Sequence, residues 1–308
     1  MAIRDSDAPI GVLASGQAVA AGENRTQAAL APIGVFDSGV GGLTVARRIL
    51  DLLPNERIVY VADQAHVPYG GRPLHEVRGF ACGISAALFR HGCKAVVMAC
   101  NISSAVALDH VRSLHTEGEV LGVIAPGACR AARVTSNGRI GVLATAGTVQ
   151  SGAYSRALHG LDSSFTVVEV ACPDFVPLVE SGEENSQAAY SAAEAYLAPI
   201  RRAGADTVIL GCTHYPFLLQ ALRSVWNSPA YVDPAEQTSC ELAEFLASAS
   251  LLAPAAGNSA CRHLLATTGD PNAFQRHLAR FLPDAIPLAD VRGVGWHVGE
   301  LKLNLGVS

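Results

Sequence analysis

The sequence predicts an α/β protein whose mainly parallel sheets are flanked by helices, and three observations lead to this prediction. Short runs rich in Val, Ile and Leu alternate with longer segments of helical pattern, which is typical of strand–helix units in parallel sheets. The apolar runs are nearly continuous, as expected for strands that are covered on both faces. The chain has 308 residues, half of them hydrophobic, which is enough for one large domain or two ordinary ones.

Eight runs are predicted to be strands, in chain order. They are Ile33–Phe36, Ile58–Ala62, Ala95–Ala99, Leu121–Ala125, Ile140–Ala144, Thr166–Val170, Thr207–Gly211 and Leu264–Thr267. Helices are predicted between them, at Leu43–Leu53, Val77–His91, Ser103–His115, Ala188–Ala203 and Phe217–Trp226. Residues 1–30 are rich in Ala, Gly and small polar residues, and we expect them to be a disordered extension.

Charge and cysteine content narrow the class of protein. The formal net charge of −5 argues against a nucleic-acid partner, although local dipoles can still bind a small anion. No apolar run approaches the roughly 20 residues that span a bilayer, and the amino-terminal segment lacks the pattern of a signal peptide. The eight cysteines form no CxxC motif and no zinc spacing, so we expect no metal site and free thiols in the cytoplasm.

An internal repeat distinguishes two of these cysteines. The segment from Gly92 to Asn101 can be laid over the segment from Gly204 to Thr213, and the distance from Gly to Cys is the same in both. Cys100 and Cys212 therefore each lie at the carboxyl end of a predicted parallel strand, where α/β sheets place their ligands. We expect the two thiols to face each other across a cleft, and the other six cysteines to be core or surface residues.

Two opposed thiols suit the inversion of an amino-acid α-carbon. A thiolate can remove the weakly acidic α-proton from one face while a thiol protonates the opposite face, and a thiol pKa near 8.5 is easily lowered by neighbouring groups. A pyridoxal Schiff base would need a suitable lysine, but the chain has only Lys94, which begins an apolar strand, and Lys302, near the end. These residues predict an amino-acid racemase that uses no cofactor.

Polar residues at other strand ends and in a loop are candidates for the same site. They are Asp37 and Ser38 after the first strand, Tyr69 and Gly70 in a loop, Thr145 and Thr148 after the fifth strand, and His214 after Cys212. The Gly-rich junction that follows Asp37 can hold a carboxylate on backbone N–H groups at a helix N-terminus. The loop can bring backbone N–H groups or the Tyr69 hydroxyl to the cleft. The two threonines would serve equally well in a turn or as helix N-caps.

The chain resembles the bacterial glutamate racemases of the aspartate/glutamate racemase superfamily from residue 31 to about 283. The matching segments are IGVFDSGVGGLT from Ile33, Asp63 with PYG from Pro68, ACN from Ala99, Gly147-Thr148 with Ser151 and Tyr154, FVPLVESG from Phe175, LGCTHYP from Leu210 and TTGDP from Thr267. The resemblance implies two pseudo-symmetric α/β domains with the active site in the cleft between them. Residues 31–127 and 239–308 would form one domain, and residues 128–238 the other.

The resemblance also implies an activity and a set of site residues. The activity is cofactor-free interconversion of L- and D-glutamate, which supplies D-glutamate for peptidoglycan. The implied acid/base pair is Cys100 and Cys212, the assisting polar residues are Asp37, Glu180 and His214, and the substrate-binding residues are Asp37, Ser38, Tyr69, Gly70, Asn101, Thr145, Thr148 and Thr213. One departure is Ile102, where the family usually has Thr. The missing hydroxyl is expected to weaken substrate binding by about 0.5–1.5 kcal/mol.

Other functions fit part of this pattern. The chain could racemise another amino acid such as aspartate, or it could be a degenerate family member with a binding or regulatory role, since some family members act on DNA gyrase. A cysteine hydrolase that uses Cys212 and His214 is a further alternative, but such an enzyme would have no need for Cys100. The sequence leaves the oligomeric state open, a homodimer included.

Overall fold

A computed structural model describes residues 26–255, 263–282 and 289–303, which contain two parallel sheets and one hairpin. The larger sheet has the strand order β10-β9-β2-β1-β3-β4, and the smaller one has the order β6-β5-β7-β8. Strands β11 and β12 form an antiparallel hairpin. The strands are β1 (Ile33–Asp37), β2 (Ile58–Ala62), β3 (Ala95–Met98), β4 (Glu119–Gly122), β5 (Arg139–Ala144), β6 (Thr166–Ala171), β7 (Thr207–Gly211), β8 (Ala230–Val232), β9 (His263–Thr267), β10 (Ala289–Gly293), β11 (Gly295–His297) and β12 (Glu300–Lys302).

Helices connect the strands of both sheets, as parallel strand pairs require. They are α1 (Leu43–Leu52), α2 (Leu74–Arg90), α3 (Asn101–Leu114), α4 (Ile124–Val134), α5 (Ala146–Ser151), α6 (Ala153–Leu161), α7 (Phe175–Ser181), α8 (Gln187–Arg202), α9 (Leu219–Val225), α10 (Pro234–Ser248) and α11 (Pro271–Phe281). Within the described ranges, no helix combines the length and the apolar character needed to cross a membrane.

The larger sheet is covered on both faces, because successive side chains of a strand point in opposite directions. In β1, Val35 packs in one apolar cluster with Leu43 and Ile49 of α1. Its neighbour Phe36 packs in a second cluster on the other face, together with Ile84 of α2. This double burial explains why the strands read as continuous apolar runs, and it confirms the predicted α/β class.

The smaller sheet repeats this arrangement with its own helices. Leu210 of β7 packs on one face with Leu197 of α8, whereas Ile209 packs on the other face with Tyr154 and Leu158 of α6. The sheet is built from residues 139–232, and the larger sheet takes its strands from both sides of that segment. The predicted domain boundaries at 127/128 and 238/239 fall inside α4 and α10, and the division into two domains remains a proposal.

The structure corrects three sequence-based expectations. The strand predicted at Leu121–Ala125 ends at Gly122, and Ile124 begins α4, where Pro126 is tolerated because it lies in the first helical turn. The helix predicted at Phe217–Trp226 is a 3₁₀ turn over Tyr215–Leu218 followed by α9. The predicted extension lies outside the described residues as far as residue 25, but residues 26–30 are helical and Ala29 is buried.

Candidate active site

Each sheet has a topological switch point, and one of the two cysteines lies at each of these points. In the larger sheet, β2 pairs with one side of β1 and β3 pairs with the other side, so the strand order reverses at β1. This reversal opens a crevice at the carboxyl ends of β1 and β3. Asp37 ends β1, and Cys100 follows β3 by two residues. In the smaller sheet the reversal occurs between β5 and β7, where Thr145 and Cys212 follow the strands. The matched Gly-to-Cys segments therefore occupy equivalent places in the two sheets.

A single cavity of about 720 Å³ is lined by residues from both switch points. Eleven of the twelve site residues expected from the sequence lie in its wall: Asp37, Ser38, Tyr69, Gly70, Cys100, Asn101, Thr145, Glu180, Cys212, Thr213 and His214. Cys100 is 5% exposed and Cys212 is 8% exposed, so both thiols are almost completely buried in the cavity wall. The arrangement brings two nucleophilic sulfur atoms into one enclosed space from two separate sheets.

Cys100 is the N-cap residue of α3, where the helix dipole favours negative charge. Its Sγ lies 4.0 Å from the Ser38 Oγ. Burial and the negative charge of Asp37 raise the pKa of Cys100 to about 12, although the Ser103 hydroxyl and backbone N–H oppose the rise. The raised pKa keeps Cys100 in its protonated thiol form at neutral pH, which suits a proton donor.

Cys212 has a different neighbour. The His214 Nδ1 lies 3.9 Å from the Cys212 Sγ, and the His214 Nε2 lies 3.3 Å from Glu180 Oε1 in an ion pair. Burial opposes a charge on His214, but its contacts with Cys212 and Glu180 raise its pKa to about 10. The contact with His214 in turn lowers the pKa of Glu180. The raised pKa keeps His214 in its imidazolium form at neutral pH, and this positive charge would stabilise a negative charge on the Cys212 sulfur.

Asp37 is a fully buried carboxyl group at the end of β1. It accepts hydrogen bonds from the Gly39 N–H at 2.9 Å and from the Thr213 hydroxyl at 3.2 Å. Burial raises its pKa, and the charge of His214 works against this rise. The bond between Asp37 and Thr213 joins the end of β1 to the segment that carries Cys212, so it connects the two sheets beside the cavity.

The loop between β1 and α1 can lie against Thr213 and His214 only because it carries a glycine, Gly41, at the point of contact. A Cβ atom on Gly41 would lie 2.4 Å from both the His214 Nδ1 and the Thr213 Oγ1, far inside normal contact distance. Any larger residue at this position would displace the two side chains that follow Cys212.

Asn101 is the second residue that joins the two sheets. Its Oδ1 accepts a hydrogen bond of 2.7 Å from the Tyr154 hydroxyl, which belongs to α6. This bond fixes the amide so that its NH₂ group is the end available to the cavity. Asn101 can therefore donate to a substrate carboxylate.

Two expected site residues take roles that the sequence did not reveal. Thr148 does not line the cavity, because it lies in the first turn of α5 and is fully buried. Its Oγ1 is 3.1 Å from that of Thr145, which does line the cavity. The loop was expected to bring either backbone N–H groups or the Tyr69 hydroxyl to the cleft, and the hydroxyl donates to Asp63 at 2.6 Å instead. Burial and the charge of Asp63 raise the pKa of Tyr69, which keeps this hydroxyl protonated.

Ile102, the departure from the family pattern, lies in the cavity wall and is almost completely buried. Its Cδ1 occupies the space beside Gly147, where a Cβ would come within 2.3 Å of it. The side chain at this position is therefore an apolar contact between α3 and α5 and not a hydroxyl donor.

Cys172 is a wall residue that sequence reasoning missed. It directly follows β6, so it has the strand-end context that distinguished the other two cysteines, yet it was expected to be a core or surface residue. Burial raises the pKa of its thiol. Pro173, Val176 and Pro177 continue the same wall as an apolar surface.

The described residues hold seven cysteines, all of them free thiols. In the same ranges, no group of three or more His, Cys, Asp or Glu side chains is arranged to hold a metal ion. The cavity wall carries thiols, carboxyl groups and an imidazole, which can exchange protons.

The chain is similar to known proteins over most of its length. Residues 33–238 match the family model described as Asp/Glu/Hydantoin racemase. A glutamate racemase of Beutenbergia cavernae is 46% identical over 263 residues, which cover 82% of this chain and 89% of that protein. A glutamate racemase isoform of Bacillus anthracis has a crystal structure with a TM-score of 0.80 and 36% identity, covering 88% of this chain and 98% of that one. The structure of the Francisella tularensis glutamate racemase in complex with D-glutamate gives a TM-score of 0.79 and 30% identity, covering 86% and 98% of the two chains.

Proposed function

The chain belongs to the Asp/Glu/Hydantoin racemase family, and on that premise we propose that it interconverts L- and D-glutamate with its own two thiols. The activity accords with the relatives named glutamate racemase, which align over most of their own length. The observation that carries the two-thiol mechanism is the placement of Cys100 and Cys212 in the wall of one cavity, each at the end of a strand in a different sheet.

The proposed reaction moves one proton onto the enzyme and another off it. One cysteine, as a thiolate, takes the α-proton and becomes a thiol, and the electron pair of the broken C–H bond remains on the α-carbon. The other cysteine donates its proton to the opposite face of that carbon and becomes a thiolate. The configuration is inverted, and the two sulfurs have exchanged protonation states.

The charges around the cavity favour one distribution of protons between the two thiols at the start of the reaction. Cys100 has a raised pKa and is protonated, whereas Cys212 lies beside the imidazolium of His214. We propose that the resting enzyme uses Cys212 as the base and Cys100 as the acid, and that Glu180 holds His214 in its charged form. In the reverse direction the roles exchange, with Cys100 as the base at the N-terminus of α3.

A hydrogen-exchange experiment on single cysteine variants tests the mechanism. The parent protein, supplied with glutamate in D₂O and no added cofactor, is expected to racemise both enantiomers and to incorporate deuterium at the α-carbon. Cys100→Ala and Cys212→Ala are each expected to lose racemisation by about a thousandfold or more, because the remaining thiol serves only one face. Full racemisation by either variant would contradict the assignment of the bases.

Substrate choice is tested by a chirality assay on a panel that contains aspartate as well as glutamate. We expect glutamate to be preferred. A preference for aspartate would keep the mechanism but change the substrate, and a lack of turnover with every amino acid would favour a binding or regulatory role.

The cellular role follows from this substrate. D-glutamate is a component of peptidoglycan, and we propose that the enzyme supplies it for cell-wall synthesis. A reaction that depends on two free thiols needs a reducing compartment, so we place it in the cytoplasm.

A further inference from the structure

The structure contains a second polar cluster, which adjoins the cavity through Tyr69 and is centred on the buried Asp63 that follows β2. Its Oδ2 accepts a hydrogen bond of 2.6 Å from the Tyr69 hydroxyl and lies 2.8 Å from the His66 Nδ1. Its Oδ1 accepts bonds of 2.9 Å from the Thr268 hydroxyl and 2.8 Å from the Trp296 Nε1. Asp63 is fully buried, so these protein donors replace water around its carboxylate. We refer to these five residues as the Asp63 cluster.

The donors come from three distant parts of the chain. His66 and Tyr69 belong to the loop after β2, Thr268 follows β9, and Trp296 lies in the carboxyl-terminal hairpin of β11 and β12. Trp296 lies 233 residues from Asp63 in sequence. The cluster therefore attaches the hairpin to the loop that contributes Tyr69 and Gly70 to the cavity wall.

The indole of Trp296 occupies a specific space. Its ring packs edge-on against His66 at 5.4 Å and against Phe80 of α2 at 5.9 Å between centroids. The ring passes close to Gly83 of the same helix, where a Cβ would lie 2.7 Å from the Trp296 Cζ3. The glycine thus allows the hairpin to approach α2 closely enough for the indole N–H to reach Asp63.

The loop held by this cluster also contacts the other sheet. A Cβ on Gly70 would lie 3.2 Å from the Cβ of Thr145, which follows β5 in the smaller sheet. A shift of the loop would therefore alter the wall of the cavity at the point where the two sheets meet.

We propose that Trp296 is a positioning residue for the reaction: through Asp63 it holds Tyr69 and Gly70 in the geometry that binds substrate. This inference rests on the proposed glutamate racemase activity. Removal of the indole N–H leaves Oδ1 with the Thr268 hydroxyl alone. The carboxylate then keeps three of its four partners and is held less firmly, and a turn of the carboxylate moves the Tyr69 hydroxyl that it fixes on Oδ2.

The test compares variants of the two tryptophans of the chain. Trp296→Phe keeps an aromatic ring packed against His66 and Phe80 but removes the donor to Asp63. We expect KM for both glutamate enantiomers to rise about three- to tenfold, with kcat within about twofold of the parent, because the thiols themselves are not moved. Trp226→Phe is the matched control: Trp226 ends α9 in the other sheet's half of the molecule, and both constants should stay near the parent values.

Two further variants separate positioning from general stability. Gly83→Ala changes no residue of the Asp63 cluster but pushes the indole, and with it the Trp296 Nε1 donor, away from Asp63, so it should raise KM as Trp296→Phe does. In the Trp226→Phe protein, Trp296 is the sole indole, and its fluorescence should change on addition of D-glutamate. Adding Tyr69→Phe to that protein should abolish the change, since the connection from the cavity to the indole is lost.

The proposal is overturned if Trp296→Phe retains the parental KM, even with a lowered melting temperature, since that result assigns Trp296 a structural role alone. It is also overturned if the fluorescence of Trp296 does not respond to glutamate. An inactive parent protein would instead contradict the proposed function itself, so the two failures are distinguishable.

Discussion

At the scale of single residues, the charge on His214 is the feature with the clearest consequence for pH. The pKa of His214 is raised from the ordinary 6.5 to about 10 by its contacts with Cys212 and Glu180, against the opposing effect of burial. Because the folded state binds this proton more tightly than the unfolded chain does, the proton contributes stability in full below about pH 6.5. That contribution disappears as the pH rises through about 10.

The first prediction follows from the loss of this stabilisation as the pH rises. His214→Gln removes the titration, so the parent should exceed the variant in free energy of unfolding by a margin that shrinks between about pH 6.5 and pH 10. Denaturant unfolding at several pH values measures that margin. The variant should also racemise more slowly, with the same fall in kcat/KM for both enantiomers, because the equilibrium constant between enantiomers is 1. A margin that grows with pH would show that His214 is neutral in the folded protein.

Ile102 permits a prediction about binding. Ile102→Thr restores the hydroxyl that the family usually has, and one such hydrogen bond is worth about 0.5–1.5 kcal/mol, so KM for glutamate should fall about two- to tenfold. The same change removes buried apolar contact and should lower stability by about 1 kcal/mol. Ile102→Val has nearly the shape of the threonine variant without the hydroxyl. Equal KM values for the two variants would show that the hydroxyl has no role.

At the scale of elements, the loop between β1 and α1 is positioned by its lack of a side chain at Gly41. Gly41→Ala would place a Cβ 2.4 Å from the His214 Nδ1 and the Thr213 Oγ1. Misplacement of catalytic groups by about 1 Å can cost a hundredfold in rate, so we expect kcat to fall about 10- to 100-fold.

The matched control for this change is Gly160→Ala. Gly160 lies in α6, where an added Cβ meets nothing within 4 Å, and alanine is the better helix former. Steady-state kinetics and thermal melts of both variants should show a loss of kcat for Gly41→Ala alone. Parental kcat in Gly41→Ala would mean that the loop moves without cost and that His214 is not held by it.

The sequence was sufficient for those elements whose local pattern is strong. The long apolar strands, such as Ile58–Ala62 and Thr207–Gly211, were predicted with their observed bounds, because burial on both faces leaves an uninterrupted apolar run. Helices α10 and α11 were missed, although each begins with an Asp N-cap and a following Pro, at Asp233 and Asp270. That pair is a start signal which sequence analysis can use.

The candidate site was predictable only in part, for a physical reason. Residues at or just beyond the end of a strand, such as Cys100, Cys212 and Asp37, were found because strand ends converge at one edge of a sheet. Trp296 carries no such local signal, since its contact with Asp63 depends on tertiary packing over 233 residues. The short strands β11 and β12 of its hairpin, three residues each, are likewise defined by their packing and not by their own pattern.

At the scale of the whole molecule, both sheets contribute to the wall of one cavity, so one ligand in that cavity can affect residues of both sheets at once. Cys100 enters the cavity from the larger sheet and Cys212 from the smaller one, and both are less than 10% exposed. A single bound glutamate should therefore shield both sulfurs together. Cys240, on the exposed side of α10, provides an internal control in the same molecule.

The last prediction compares the rate of alkylation at the exposed Cys240 with the rates at the two cavity thiols. With iodoacetamide, Cys240 should be modified at the same rate with or without D-glutamate, because it lies outside the cavity. The rates at Cys100 and Cys212 should fall in parallel as D-glutamate is added, with the same half-maximal concentration, because one ligand occupies the space between them. Peptide mass spectrometry after timed quenching measures all three rates. Protection of one of the two cavity thiols without the other would mean that the substrate contacts only one sheet, and a mechanism with two opposed thiols would then fail.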